Sequence, residues 1–192
     1  QFKTSTIAEV VLMARRGPAQ AAFTPKELEQ LMGLPDLDLI VDRADLLLDT
    51  ETAAQLELPE SGETLQNMKL LMEIAERPLK HASKTIRFQF CHSPESIDVV
   101  AGQKMLKATR NVMVRDAHGQ MNAQASGEHV LIAADLVVHA IGYQGDAVGD
   151  VPFDAKRGVI QNTAGRVQAG AAIAKEYAAG WIKRGASGVI GT

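Results

Sequence analysis

One cysteine, Cys91, stands among the 192 residues. That excludes an internal disulfide and a cysteine zinc cluster. It points to a reducing compartment: the cytoplasm, or alternatively the mitochondrial matrix. Aromatic residues make up 4% of the chain, too few for a base-stacking platform. Positive charge is not in excess. The formal net charge is −3, which leaves no field to hold nucleic acid or an anionic membrane. No apolar run approaches the ~20 residues a helix needs to span a bilayer. The histidines (His81, His92, His118, His129, His139) show no metal-ligand spacing, so no metal site is expected. No Gly-x-Gly-x-x-Gly follows any expected strand, and there is no Gly-x-x-x-x-Gly-Lys loop. The start, Gln1-Phe2-Lys3-Thr4, has neither an initiator Met nor a signal-like run, so the chain is expected to be cut from a longer one.

What is present is the balance of a globular protein, 46% hydrophobic and 22% charged. Ile7 to Ala14 is almost continuously apolar, as a buried parallel strand reads, and stops at the charged turn Arg15-Arg16-Gly17-Pro18. Thr24-Pro25-Lys26-Glu27 then opens a short helix ending at Gly33. Thr24 is the N-cap, Pro25 the first helical position, and Glu27 the third position of a capping box. Leu39 to Val41 reads as a second buried strand between Asp38 and Asp42. Asp49 to Gly62 reads as an acidic loop. Thr64 to Ala75 has the apolar spacing of an amphipathic helix that ends before Pro78. Thr85 to Phe90 and Ile97 to Val100 read as strands. Met105 to Val114 and Gln120 to Ala125 flank a hairpin turn at His118-Gly119. Asp135 to Gly142 reads as another buried strand. Beyond about residue 150 the chain changes character, with short strands at 158–162 and 165–167 and a glycine-rich end from Lys183 to Thr192. An α/β core with an antiparallel insertion follows from this order.

Ligands of doubly wound sheets bind outside the carboxyl ends of the strands. Arg15 and Arg16 fall at such an end, where two guanidinium groups suit a bidentate clamp on phosphate. In dinucleotide-binding folds, arginine there accepts the ribose 2′-phosphate of NADP. A solvated basic turn explains the pair equally well. Glu27 needs no ligand beyond its cap. Gly185 to Thr192 allows close backbone approach to a ligand, or is a flexible tail. Trp181 is the only tryptophan, and His139 reads as a core residue. Cys91 and His92 are adjacent on a strand, so they point to opposite faces and make a poor nucleophile pair.

Longer motifs carry a resemblance. Arg15-Arg16-Gly17-Pro18-Ala19-Gln20-Ala21-Ala22-Phe23-Thr24 with Glu27-Leu28 resembles a segment of the adrenodoxin-reductase type of ferredoxin–NADP⁺ reductase. So does Gly180-Trp181-Ile182-Lys183-Arg184-Gly185 with Gly188-Val189-Ile190-Gly191-Thr192. Between them Ala140-Ile141-Gly142-Tyr143, Val151-Pro152-Phe153-Asp154 and Gly165-Arg166-Val167 follow in the family's order.

The resemblance implies an α/β, Rossmann-like, three-layer NADP domain with an antiparallel β insertion. It is expected to be incomplete at the N-terminus (residues 1–148) and followed by a C-terminal segment of an FAD-binding domain (149–192). It implies FAD and NADP as cofactors, with FAD not retained by this chain alone. The 2′-phosphate residues fall on Arg15, Arg16 and Glu27, and the flavin contacts on Trp181, Gly188, Val189 and Ile190. No catalytic side chain is implied, because the cofactors carry the chemistry. The implied activity is that of an NADPH-dependent flavoprotein oxidoreductase. A hydride passes from NADPH to FAD, and single electrons pass to a ferredoxin-type iron–sulfur partner. The alternatives are a catalytically silent α/β module without bound cofactor, or an oxidoreductase component whose flavin comes from another chain. Self-association through an uncovered sheet edge is a further expectation.

Overall fold

The computed structural model describes residues 4–169 and 172–185. The chain divides into two compact units, Gln1–Asp135 and Leu136–Thr192.

The first unit is built on a parallel sheet. Strand β1 (Glu9–Met13) leads through the 3-10 turn Pro18–Gln20 to helix α1 (Pro25–Met32), then to β2 (Leu37–Val41). Helices α2 (Thr50–Leu56) and α3 (Gly62–Glu76) precede β3 (Lys84–Gln89). The sheet order is β1-β3-β2, with both pairings parallel. The Thr24 cap of α1 forms as a complete capping box, with Pro25 in the first turn. The core gathers Leu28 of α1, Val41 of β2, Leu56 of α2, Met68, Leu70, Leu71 and Ile74 of α3, and Phe88 and Phe90. Phe88 meets Phe23 edge-on at 5.9 Å and stacks on Phe90 at 6.3 Å between ring centres.

Beyond β3 the chain leaves the parallel sheet through Cys91 at φ +56°. It enters an antiparallel sheet of β4 (His92–Val100), β5 (Gln103–Arg115) and β6 (Met121–Ala133), in the order β4-β5-β6. The β5–β6 turn contains His118-Gly119, as the sequence predicts, with Gly119 at φ +79°. Asp116 closes that turn by accepting from the His118 and Gln120 amides.

Four expectations change. The first strand is parallel but not buried. It lies at the sheet edge, with Val10 and Leu12 exposed by 40% and 44%. The acidic loop from Asp49 holds α2 instead. Asp49 caps it by accepting from the Glu51 and Thr52 amides, and Thr52 and Leu56 are its buried side chains. β4 begins earlier than Ile97 and runs through Pro94, where its register shifts. Finally, Asp135 to Gly142 forms no strand. No strand among the described residues pairs with it. Leu136, Val138 and Ile141 are exposed, and His139 is exposed rather than in a core.

The second unit holds a two-stranded ribbon, β7 (Phe153–Asp154) with β8 (Val159–Ile160). Beside it in sequence are β9 (Asn162–Thr163), β10 (Arg166–Ala169), β11 (Ala172–Tyr177) and the short helix α4 (Trp181–Arg184). The sheet order is β11-β10-β9. Among the described residues its core cluster is Ile160, Val167 and Ala178, with Val151, Phe153 and Ile182 half-buried around them, and Val159 is buried as well. Backbone segments cross closely here. The Gly145 amide donates to the Gly158 carbonyl at 3.2 Å, and Gly158 has φ +64°.

Candidate functional site

The turn after β1 carries Arg15 and Arg16, both exposed, at the carboxyl end of a parallel strand. Gly17 and Pro18 behind them are buried. Among the described residues neither guanidinium enters a salt bridge. The other arginines of this region are engaged. Arg115 lies 3.0 Å from Glu51 and also donates to the Gly119 carbonyl, and Arg110 stands 4.0 Å from Asp45. The strand end therefore presents two uncommitted, permanently charged, planar donor sets. That chemistry fits a phosphoryl group.

The backbone of the same turn is held firmly. The His92 amide donates to the Ala14 carbonyl at 3.0 Å, and the Cys91 amide donates to the Arg16 carbonyl at 3.1 Å. The Asn111 side-chain amide donates to the Arg15 carbonyl at 2.9 Å. Asn111 is buried on β5, and nothing in the sequence near the arginines signals its part. Its partner lies 96 positions away. On the far side of the 3-10 turn, the Asn67 side chain of α3 donates to the Phe23 carbonyl at 2.7 Å.

Glu27 sits in the first turn of α1. Its carboxylate accepts from the Thr24 amide at 2.7 Å and from the Thr24 hydroxyl at 3.0 Å. The Thr24 backbone bond, with the hydroxyl bond beside it, holds the Glu27 carboxyl below its usual range. Its position in the capping box is thus as the sequence predicts.

Next to the turn, burial raises the Asp45 carboxyl, and Asp42 adds to the rise. Burial, and then Asp45, push the Cys91 thiol up, so the thiolate a nucleophile needs is disfavoured. His92 is buried, with Nδ1 2.6 Å from the Phe90 carbonyl. The Cys91–His92 pair serves the packing of the strand junction.

Trp181 opens α4 in the second unit, 48% exposed, with its ring 5.5 Å from that of Tyr143 and tilted 36°. Gly180 precedes it at φ +67°, a conformation glycine tolerates. Gly188, Val189 and Ile190 lie outside the described residues. Among the described residues no helix is long and apolar enough to cross a membrane.

No protein-family model matches the chain. Individual proteins do. NADPH-ferredoxin reductase FprA of Mycobacterium tuberculosis is 38% identical over 188 residues, which are 97% of this chain and 40% of that protein. The mitochondrial NADPH:adrenodoxin oxidoreductase of Homo sapiens is 32% identical over 201 residues, covering 100% of this chain and 40% of the relative. Among solved structures, M. tuberculosis FprA in complex with NADPH superposes with a TM-score of 0.83 at 37% identity, over 96% of this chain and 39% of that one. The Rossmann-like α/β fold with its antiparallel insertion is that of the superposed structure. The chain spans about two fifths of the length of the curated relatives it matches.

Proposed function

We infer that this chain, a relative of the adrenodoxin-reductase type of ferredoxin–NADP⁺ reductase, carries the NADP-reading part of such an enzyme. The observation that carries this reading is the Arg15–Arg16 turn. Two guanidinium groups that enter no salt bridge among the described residues stand at the carboxyl end of a parallel strand, on a backbone whose carbonyls are taken at Ala14, Arg15 and Arg16. In this reading Arg15 and Arg16 bind the ribose 2′-phosphate, and Glu27, through its bond to Thr24, fixes the start of α1 beside them. Residues 1–148 make up the NADP portion, and residues 149–192 return to the FAD domain.

Trp181 with Gly188, Val189 and Ile190 contacts the flavin. The half-exposed Trp181 ring, propped on Tyr143, supports that role by offering a flat apolar face. When bound, the two cofactors supply the redox chemistry, a hydride from NADPH and single electrons for a ferredoxin-type iron–sulfur protein. The chain's own residues bind and orient. The single cysteine suits a reducing compartment such as the cytoplasm. The half-exposed Val10 and Leu12 on the edge strand offer a route to self-association of this chain by itself.

The test is kinetic. In the whole reductase that carries this chain, Arg15→Ala with Arg16→Ala should raise the KM for NADPH about 100-fold or more and leave that for NADH nearly unchanged. An unchanged ratio of the two would refute the assignment.

A further inference from the structure

Three successive carbonyls of the Arg15–Arg16 turn are taken by the entry to the antiparallel insertion. Ala14 and Arg16 are bonded by backbone amides of His92 and Cys91. Arg15, between them, is bonded by a side chain, Asn111 Nδ2 at 2.9 Å. The same Nδ2 donates to the Ser93 hydroxyl at 2.8 Å, so both of its protons are committed. Asn111's own amide donates to the Cys91 carbonyl at 2.6 Å. Cys91 reaches this position at φ +56°, and the β5–β6 register shifts between Thr109 and Asn111. Asn111 is 5% exposed, and Gly17, after the two arginines, packs beside Cys91 and Met113.

From this arrangement we propose that Asn111 is a positioning residue for nucleotide discrimination. By bonding the Arg15 carbonyl it sets the peptide plane between Arg15 and Arg16, and with it the direction in which both guanidinium groups leave the turn. The inference rests on the reading of Arg15 and Arg16 given above. Its physical basis is preorganisation. An exposed arginine has many rotamers, and a fixed backbone reduces what must be ordered when an anion binds. The insertion thus acts on the binding turn through one side-chain amide.

Equilibrium binding of adenosine 2′,5′-bisphosphate and of AMP to the whole reductase, by titration calorimetry, tests this without turnover. Asn111→Ala should weaken the bisphosphate about tenfold and leave AMP unchanged. Asn111→Asp keeps the volume and lets the Ser93 hydroxyl turn to donate where it now accepts, but sets a carboxylate against the Arg15 carbonyl. It should lose discrimination at least as much, which keeps the test sharp if the alanine variant folds poorly. Ser93→Ala removes only the other bond and should keep full discrimination.

Equal loss with Ser93→Ala would make the network merely structural and overturn the proposal. So would Asn111→Asp that binds the bisphosphate like the native protein. A parallel Arg15→Ala/Arg16→Ala variant separates the two claims. If it loses discrimination while the Asn111 variants do not, only the positioning role fails. If it too binds like the native protein, the reading of the arginines fails first.

Discussion

The two units of the chain reach their structures by different means. In the first, helices α1, α2 and α3 share a core with strands β2 and β3, and Leu28 and Leu71 are almost completely enclosed. In the second, the buried apolar residues among those described are fewer: Val159, Ile160, Val167 and Ala178. There the backbone packs against itself around Gly145 and Gly158. One unit rests on an extensive apolar core, while the other adds to a lesser one a close backbone crossing where no side chain fits. The difference separates which kinds of substitution each should feel.

The largest expected effect is in the first unit. Leu71→Ala empties space at the centre of α3 and should cost about 2–5 kcal/mol. Hydrogen exchange should show protection lost along β2, β3 and α3 while amides of the second unit keep theirs. Next comes Gly145→Ala. A Cβ there would lie 2.6 Å from the Gly158 carbonyl oxygen, a backbone atom that cannot swing aside. Overpacking of this kind costs about 1–3 kcal/mol. Exchange should quicken at the Gly145 and Gly158 amides, with the first unit untouched. If Leu71→Ala and Gly145→Ala loosen the same amides, the contrast between the units is wrong.

A smaller effect belongs to the cap beside the arginines. Thr24→Ala removes half of the capping box and should cost about 1 kcal/mol, read as a lower denaturation midpoint. The last effect is read as a pH dependence, and it belongs to Asp38. Its buried carboxylate accepts from the Lys80 and Ala82 amides, both at 2.8 Å. The Lys80 bond leads in holding its carboxyl below the usual range. In acid the unfolded chain binds this proton first, so stability falls as pH drops from about 4 through the folded value. Asp38→Asn should flatten that acid limb. A variant with the native slope would show that Asp38 contributes nothing to it.

How much of this was legible in the sequence depended on how local the cause was. The α1 cap is written in four residues from Thr24 to Glu27. Helix α3 is written in the spacing of Leu65, Met68, Leu71 and Met72, and the hairpin turn in His118-Gly119. Helix α2 was hidden by the acidic residues around it, Asp49, Glu57 and Glu60, although Asp49, Thr52 and Leu56 carry the cap and the buried face. The runs at Ile7–Ala14 and Asp135–Gly142 look alike in composition. Among the described residues only the first has a neighbour, β3, to bond with, and no sequence pattern shows whether a partner edge is present. The site divides in the same way. Arginines at a strand end are readable from order and residue type. The asparagine that holds their turn is not, because its register comes from a distant bulged strand.

The central claim is that Arg15 and Arg16 recognise a phosphate on the ribose 2′ position. Calorimetric titration of the whole reductase with NADP⁺ and with NAD⁺, at rising salt, tests it most directly. Native protein should favour NADP⁺ by a margin that shrinks with ionic strength, and Arg15→Ala/Arg16→Ala should bring the two affinities within about threefold of each other. A double variant that still favours NADP⁺ by the native margin would contradict it.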